Sequence, residues 1–192
     1  MPKLWDATIT AHRSQVRDAI CDAAAALVFE RGLRGVTMAQ IAERAGIGRA
    51  TLYKYFGDVD AIMHAWHARQ IGEHLRQLEQ VRDRIDGAAS RLEAVLTEYA
   101  TIVHRTRGHH DVALVQFLHR DEHVAAAHRH LHELVTGLLA DAAGAGEARG
   151  DVAAAELATW CLRALSAAAD TDSPAAVRRL VAVTMSGLTA AS

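Results

Sequence analysis

Apolar residues recur at intervals of three and four along nearly the whole chain, the spacing of one helical face, and this pattern predicts helices throughout. After an N-terminal arm over 1–12, Val16, Ile20, Ala23 and Leu27 trace one face of a first helix that ends near Arg31 and Gly32. A second helix is expected to start at Thr37. There Thr37-Met38-Ala39-Gln40 has the form of a capping box, in which hydroxyl and amide side chains each satisfy an otherwise unpaired backbone amide. Ile41 and Ala42 then face inward, and Gly46 supplies the left-handed residue that stops the helix.

A third, short helix is predicted over about 48–56. Gly57 and Asp58 close it, and the Asp58 carboxylate caps a long fourth helix over about 59–84, with Ile62, Met63, Trp66, Ile71, Leu75 and Leu78 turned inward. Asp86 and Gly87 break that run. Further helices are predicted over 88–106, 112–118, 121–143, 152–169 and 174–189, with 105–111 and 143–151 as connections and Pro174 in a favourable first-turn position.

Composition agrees with this reading. Alanine is abundant, β-branched residues are sparse and the 192 residues include only two prolines, so helix is favoured over sheet. The expectation is an all-α chain of about nine helices, with a small domain at 1–57 and a larger one at 58–192. Cys21 and Cys161 lie far apart without a CxxC pair, which argues against a disulfide framework or a zinc finger. The chain lacks an apolar run of transmembrane length and its first residues lack a signal-peptide core, so a cytoplasmic setting without membrane contact is expected.

The net charge of −2 argues against indiscriminate nucleic-acid binding, but the charge is unevenly spread. Residues 1–57 carry eight Lys/Arg against five Asp/Glu, whereas the remainder carries thirteen against eighteen. A basic first third on an acidic body suits a DNA-binding head attached to another unit.

Two short helices joined by a turn centred on glycine, 37–45 and 48–56, form a helix-turn-helix pattern. The first helix braces, and the second offers its outer face to the major groove. Leu52 and Phe56 face the core, leaving Arg49, Ala50, Thr51, Tyr53, Lys54 and Tyr55 outside. Hydroxyls and cations donate to phosphate, and a small group such as Ala50 can approach a thymine methyl.

The run Val36-Thr-Met-Ala-Gln-Ile-Ala-Glu-Arg-Ala-Gly-Ile47, followed by Gly48-Arg-Ala-Thr-Leu-Tyr-Lys-Tyr-Phe56, closely resembles the N-terminal domain of the tetracycline-repressor (TetR/AcrR) family. The resemblance is strong over roughly 13–65; beyond that, only the all-helical order matches. It implies a homodimeric bacterial regulator, most simply a repressor. Such a protein releases a palindromic operator when a small-molecule inducer binds the C-terminal domain, and it has no enzymatic activity and no cofactor. By matching positions, Thr37, Arg49, Thr51, Tyr53, Lys54 and Tyr55 are the implied DNA contacts. Val59 departs from the pattern, since the family often places a phosphate-touching lysine there. Gly48 replaces the usual Ser-type cap.

In the larger domain, Met63, His67, Ile71, His74 and Leu78 share one helical face, and two imidazoles in an interior stripe call for polar partners. A ligand is one such partner, and buried histidines bonded to backbone or water are another. Met63, Trp66, His67, His74, Tyr99, Phe117 and Trp160 are therefore the candidate walls of an effector cavity, or plain core. For dimerisation, the stripes Leu157, Cys161, Leu165 and Val177, Val181, Met185, Leu188 suit a four-helix interface. Eight of the twelve histidines fall between 104 and 132, and His128 and His132 have the i, i+4 spacing of chelating pairs. This leaves open a metal- or pH-responsive regulator, or a small helical metal-dependent enzyme. A closing carboxylate or thiolate is not recognisable nearby, so no metal is expected, and no GxSxG or HExxH motif occurs.

Overall fold

The computed structural model describes residues 3–106 and 122–189, with side chains from Arg13 through Thr106 and from Val124 through Thr189 carrying the features below. All regular structure among them is helical. They divide into two compact units, a head extending to Gln70 and a body beginning at Ile71, so the division falls inside the fourth helix rather than before it at residue 57.

The head is built from α1 (Lys3–Arg31), α2 (Met38–Arg44), α3 (Arg49–Tyr53) and the first part of α4 (Val59–Arg84). The expected N-terminal arm is helical from Lys3, continuous with α1. Gly32, at φ +76, ends α1 and donates to the Val28 carbonyl at 2.8 Å. The core comprises Ile20, Leu27, Ile41, Leu52, Phe56, Ile62 and Met63, all buried, and each large side chain withdrawn from water contributes about 1.5–3 kcal/mol. Two ionic links brace it. Arg44 on α2 forms a bidentate pair with Glu30 on α1 at 3.0 and 3.1 Å, which holds the Glu30 carboxyl below its ordinary range. Arg69 on α4 reaches back to α1, donating to the Asp18 carboxylate at 3.0 Å and to Asp22.

The body contains the rest of α4, then α5 (Ala88–Thr106), α6 (Glu122–Gly144), α7 (Ala154–Ser166) and α8 (Pro174–Ser186), with a 3-10 turn at Ala167–Asp170. The helix expected at 112–118 lies outside the described residues. Ser173 caps α8 by accepting from the Ala176 amide at 3.3 Å, with Pro174 in the first turn as its sequence suggests. Leu92, Val95, Leu96, Leu139, Cys161, Leu165 and Val181 form the body core. Cys21 and Cys161 are both free thiols, buried in separate cores, and burial pushes each up to about 11, so both stay protonated and inert.

Candidate nucleic-acid interface and effector cavity

The reading head depends on how α3 is rotated, and local chemistry fixes that rotation. Thr37 caps α2 as expected. Its hydroxyl accepts from the Gln40 amide at 3.4 Å and donates to Gln40 Oε1 at 3.0 Å, while Oε1 accepts the Thr37 amide at 2.9 Å. At the far end of α2, Gly46 sits at φ +68. Its amide bonds to the Glu43 carbonyl at 3.1 Å and the Ile47 amide to the Ala42 carbonyl at 2.9 Å, the paired closure of a Schellman motif. The chain thus reverses sharply into α3.

Leu52 is fully buried and Phe56 nearly so, and together they pin α3 to the core. Arg49, Ala50, Thr51, Tyr53 and Lys54 stand exposed on the opposite side, Tyr53 with 57% of its surface in solvent. Among the described residues neither Arg49 nor Lys54 meets an acidic side chain, in contrast to Arg44 and Arg69. Tyr55 differs from expectation: it is half-buried against the head core. The Thr37 hydroxyl proton is already engaged by Gln40. Helix α3 is shorter than the predicted 48–56: regular helix runs from Arg49 to Tyr53, after an N-cap, Gly48, that offers no side-chain bond. Asp58 accepts the Ala61 amide at 2.7 Å and starts α4 as read from sequence. Phe56 also carries the Arg17 guanidinium over its ring at 4.8 Å, a cation–π contact that sequence spacing does not reveal.

The candidate cavity residues separate into different environments. Met63 is fully buried head core, not a cavity wall, and Trp66 packs edge-on against Phe29 with ring centroids 5.4 Å apart. His67 is half-buried in the same unit. Trp160 is 44% exposed on α7, so it points away from any enclosed space, and Phe117 lies outside the described residues. His74 and Tyr99 do come together. With His128 they are the polar points on a cavity of about 150 Å³ walled by α4, α5 and α6, its apolar surface supplied by Ile71, Leu75, Leu78, Ile102 and Leu131. Burial holds the His74 imidazole below its ordinary value of 6.5, favouring the neutral ring, and pushes the Tyr99 phenol up. His128, exposed at the cavity edge, was read as a possible metal ligand rather than as a wall. Its i, i+4 neighbour His132 turns elsewhere, to Thr159 Oγ1 at 3.0 Å and the Ala155 carbonyl at 3.1 Å. His130 meets Glu79 at 2.9 Å, and His104 meets Thr171 at 3.0 Å. Among the described residues, three or more metal-binding side chains do not converge anywhere.

The candidate dimer stripes require correction. Leu157, Cys161, Leu165, Val177, Val181 and Leu188 are buried in the protomer's own core, and Met185 is half-buried against it. Apolar stripes on α7 and α8 meet α5 and α6 of the same chain and are not available to a second copy. The exposed large apolar side chains on these helices are Trp160 and Val183, the latter 69% exposed. The Trp160 ring lies across Gly187, where a Cβ would stand 2.7 Å from it, so a ridge of indole and small residues bridges α7 and α8.

Residues 20–66 match the model of bacterial regulatory proteins of the tetR family, and residues 91–190 match the C-terminal domain of SbtR-like transcriptional regulators. The chain belongs to the TetR family. Among curated relatives of this TetR-family chain is an uncharacterised HTH-type transcriptional regulator of Mycobacterium tuberculosis. It is 30% identical over 109 residues, which are 57% of this chain and 53% of that protein. The chain spans about half the length of the curated relatives it matches. In fold it is similar to a TetR/AcrR-family regulator from Thermobifida fusca (TM-score 0.73, 18% identity, 89% of this chain and 97% of that one). It is also similar to the regulator FadR from Bacillus subtilis, solved with stearoyl-CoA (TM-score 0.69, 18% identity, 88% and 98%). The described helices of this TetR-family chain include none long and apolar enough to cross a membrane.

Proposed function

We propose that this chain is a cytoplasmic, non-enzymatic transcriptional repressor that holds a palindromic operator as a homodimer and leaves it when a small molecule fills the α4–α5–α6 cavity. The observation that carries the reading is the outer face of α3, where two cations without acidic partners and three hydroxyl or small side chains surround an otherwise core-anchored helix. Arg49, at the helix start, is assigned to a base edge; Lys54 and the Thr51, Tyr53 and Tyr55 hydroxyls to phosphates; Ala50 to a thymine methyl. Thr37 supports the groove-facing end of α2. The exposed ridge of Trp160 and Val183 is the surface offered to the second protomer, in place of the stripes read from sequence.

The test is selection of bound duplexes from random DNA, followed by anisotropy on the selected site and its single-base variants at several salt concentrations. Lys54→Ala is expected to weaken all duplexes alike and to reduce the salt slope by about one unit. Arg49→Ala is expected to cost about 1–3 kcal/mol on the best site and to relax preference at one position. Equal affinity for selected and scrambled DNA at every salt concentration would sink the proposal.

A further inference from the structure

Resting on the reading of the α4–α5–α6 cavity as the effector site, we propose that it takes a small uncharged ring compound of about six to ten non-hydrogen atoms, bearing a single hydroxyl or carbonyl group. Size is the first constraint. The cavity holds about 150 Å³, and an apolar protein cavity of about that volume is filled by one benzene molecule. Ligand sites for drug-sized molecules run to roughly 300–1,000 Å³. A long acyl chain would reach well beyond the described walls.

Charge is the second constraint. The described lining contains no Lys, Arg, Asp or Glu. A carboxylate or phosphate entering it would lose water without meeting a counter-charge from the described walls, which an apolar site disfavours. The third constraint is the pattern of hydrogen-bonding groups. A neutral His74 ring offers one N–H donor and one acceptor nitrogen. The Tyr99 hydroxyl donates to the Leu162 carbonyl at 3.5 Å, leaving its oxygen free to accept. Such a pair suits one hydroxyl, which both donates and accepts, or one carbonyl, which takes the imidazole N–H. The remaining walls, Ile71, Leu75, Leu78 and Leu131 among them, suit an apolar ring body. This chemistry differs from that of the Bacillus subtilis neighbour, whose structure holds stearoyl-CoA.

The experiment is calorimetric titration of the full chain with phenol, benzaldehyde, benzene, benzoate and stearoyl-CoA, with operator affinity measured in parallel. Phenol or benzaldehyde is expected to saturate one site per protomer at least tenfold more tightly than benzoate. His74→Leu is expected to weaken phenol by about tenfold, the worth of one hydrogen bond, while leaving benzene nearly unchanged. Leu75→Trp fills the cavity from α4, and Ala127→Phe fills it from α6; either should abolish ring binding and leave operator affinity intact. Tighter binding of benzoate or stearoyl-CoA, or ring binding that survives both filling variants, overturns the assignment. Failure of every ring probe to bind a chain that still holds its operator overturns this inference alone. Ring binding that leaves operator affinity unchanged upholds the cavity chemistry and overturns the effector reading on which it rests.

Discussion

The head and the body carry their proposed contacts on opposite sides of the same kind of helix. In the head the residues proposed to meet DNA point outward, and Leu52 and Phe56, which point inward, fix the rotation of α3. Finding the core there finds the site by subtraction. In the body the residues proposed to meet an effector point inward, and which inward residues meet a space rather than a neighbour is decided by three helices at once. Helix α4 makes the contrast within one element. Its stripe Met63, His67, Ile71, His74, Leu78 is continuous in sequence, yet Met63 belongs to the head core, Leu78 to the body core and His74 to a cavity wall. Periodicity identifies a face; it does not identify what covers it.

The largest effects should come from two valines two residues apart on α8. Val181 is 3% exposed within the body core and Val183 is 69% exposed. Val181→Glu buries a carboxylate without a partner and should cost more than about 4 kcal/mol, unfolding the body. Val183→Glu should leave stability within about 0.5 kcal/mol, as surface changes do, while shifting the chain from dimer to monomer and removing tight operator binding. Denaturant unfolding and sedimentation of both variants decide this. A folded, monomeric Val181→Glu chain would restore the stripes read from sequence as the dimer surface.

A smaller effect sharpens the contrast between the units. Glycine to alanine should have opposite signs in head and body. Gly46 adopts φ +68 in the reversal between α2 and α3, where a Cβ costs about 1–2 kcal/mol. Gly137 lies inside α6 with open space around a built Cβ, and alanine there should stabilise by about 0.5–1 kcal/mol. Thermal unfolding with operator affinity reads both. Gly46→Ala should also weaken DNA binding, because it disturbs the approach angle of α3. Gly137→Ala should not.

Much of the head was legible because its signals are local. The Thr37–Gln40 capping box, the Gly46 stop and the Asp58 cap each involve residues within a few positions, and each is realised. Tyr55 is less exposed than helical spacing implies, because the short α3 ends at Tyr53 and the residue packs half-buried against the head core. The start of α8 was legible from Pro174, and the span of α5 from its flanking breaks. The dimer stripes were not, since Leu157, Cys161 and Val181 are as apolar as an interface should be and only the tertiary partner separates the two cases. A usable signal existed at Trp160, which lies among Glu156, Thr159 and Arg163, an aromatic on a polar face. The Arg69 link was also signalled by Asp18 and Asp22, a pair of carboxylates at i, i+4 on α1.

The smallest expected effect concerns proton linkage at His74. Burial holds its imidazole below the ordinary value of 6.5, with the Glu73 carboxylate opposing the shift weakly. Above pH 6.5 the ring is neutral in both folded and unfolded chains, and His74 adds no pH dependence. As pH falls through 6.5 the unfolded chain takes up the proton first, so the unfolded state is favoured progressively until the folded ring also titrates. The slope therefore has one sign: stability is lost toward acid, beginning near pH 6.5. His74→Gln removes the titrating group while keeping polar atoms at the wall. The difference in unfolding free energy between wild type and variant should be flat above pH 7 and should move against the wild type between about pH 6.5 and 5. Saturating phenol, which requires the neutral ring, should leave the onset near pH 6.5 in place and carry the sloped region of the wild type to lower pH, because it delays titration of the folded ring. Urea unfolding at half-unit steps resolves the difference, since titrations elsewhere in the chain cancel between the two proteins. Parallel curves down to pH 5 would mean that His74 is as well solvated in the folded chain as in the unfolded one, and is a surface group rather than a cavity wall.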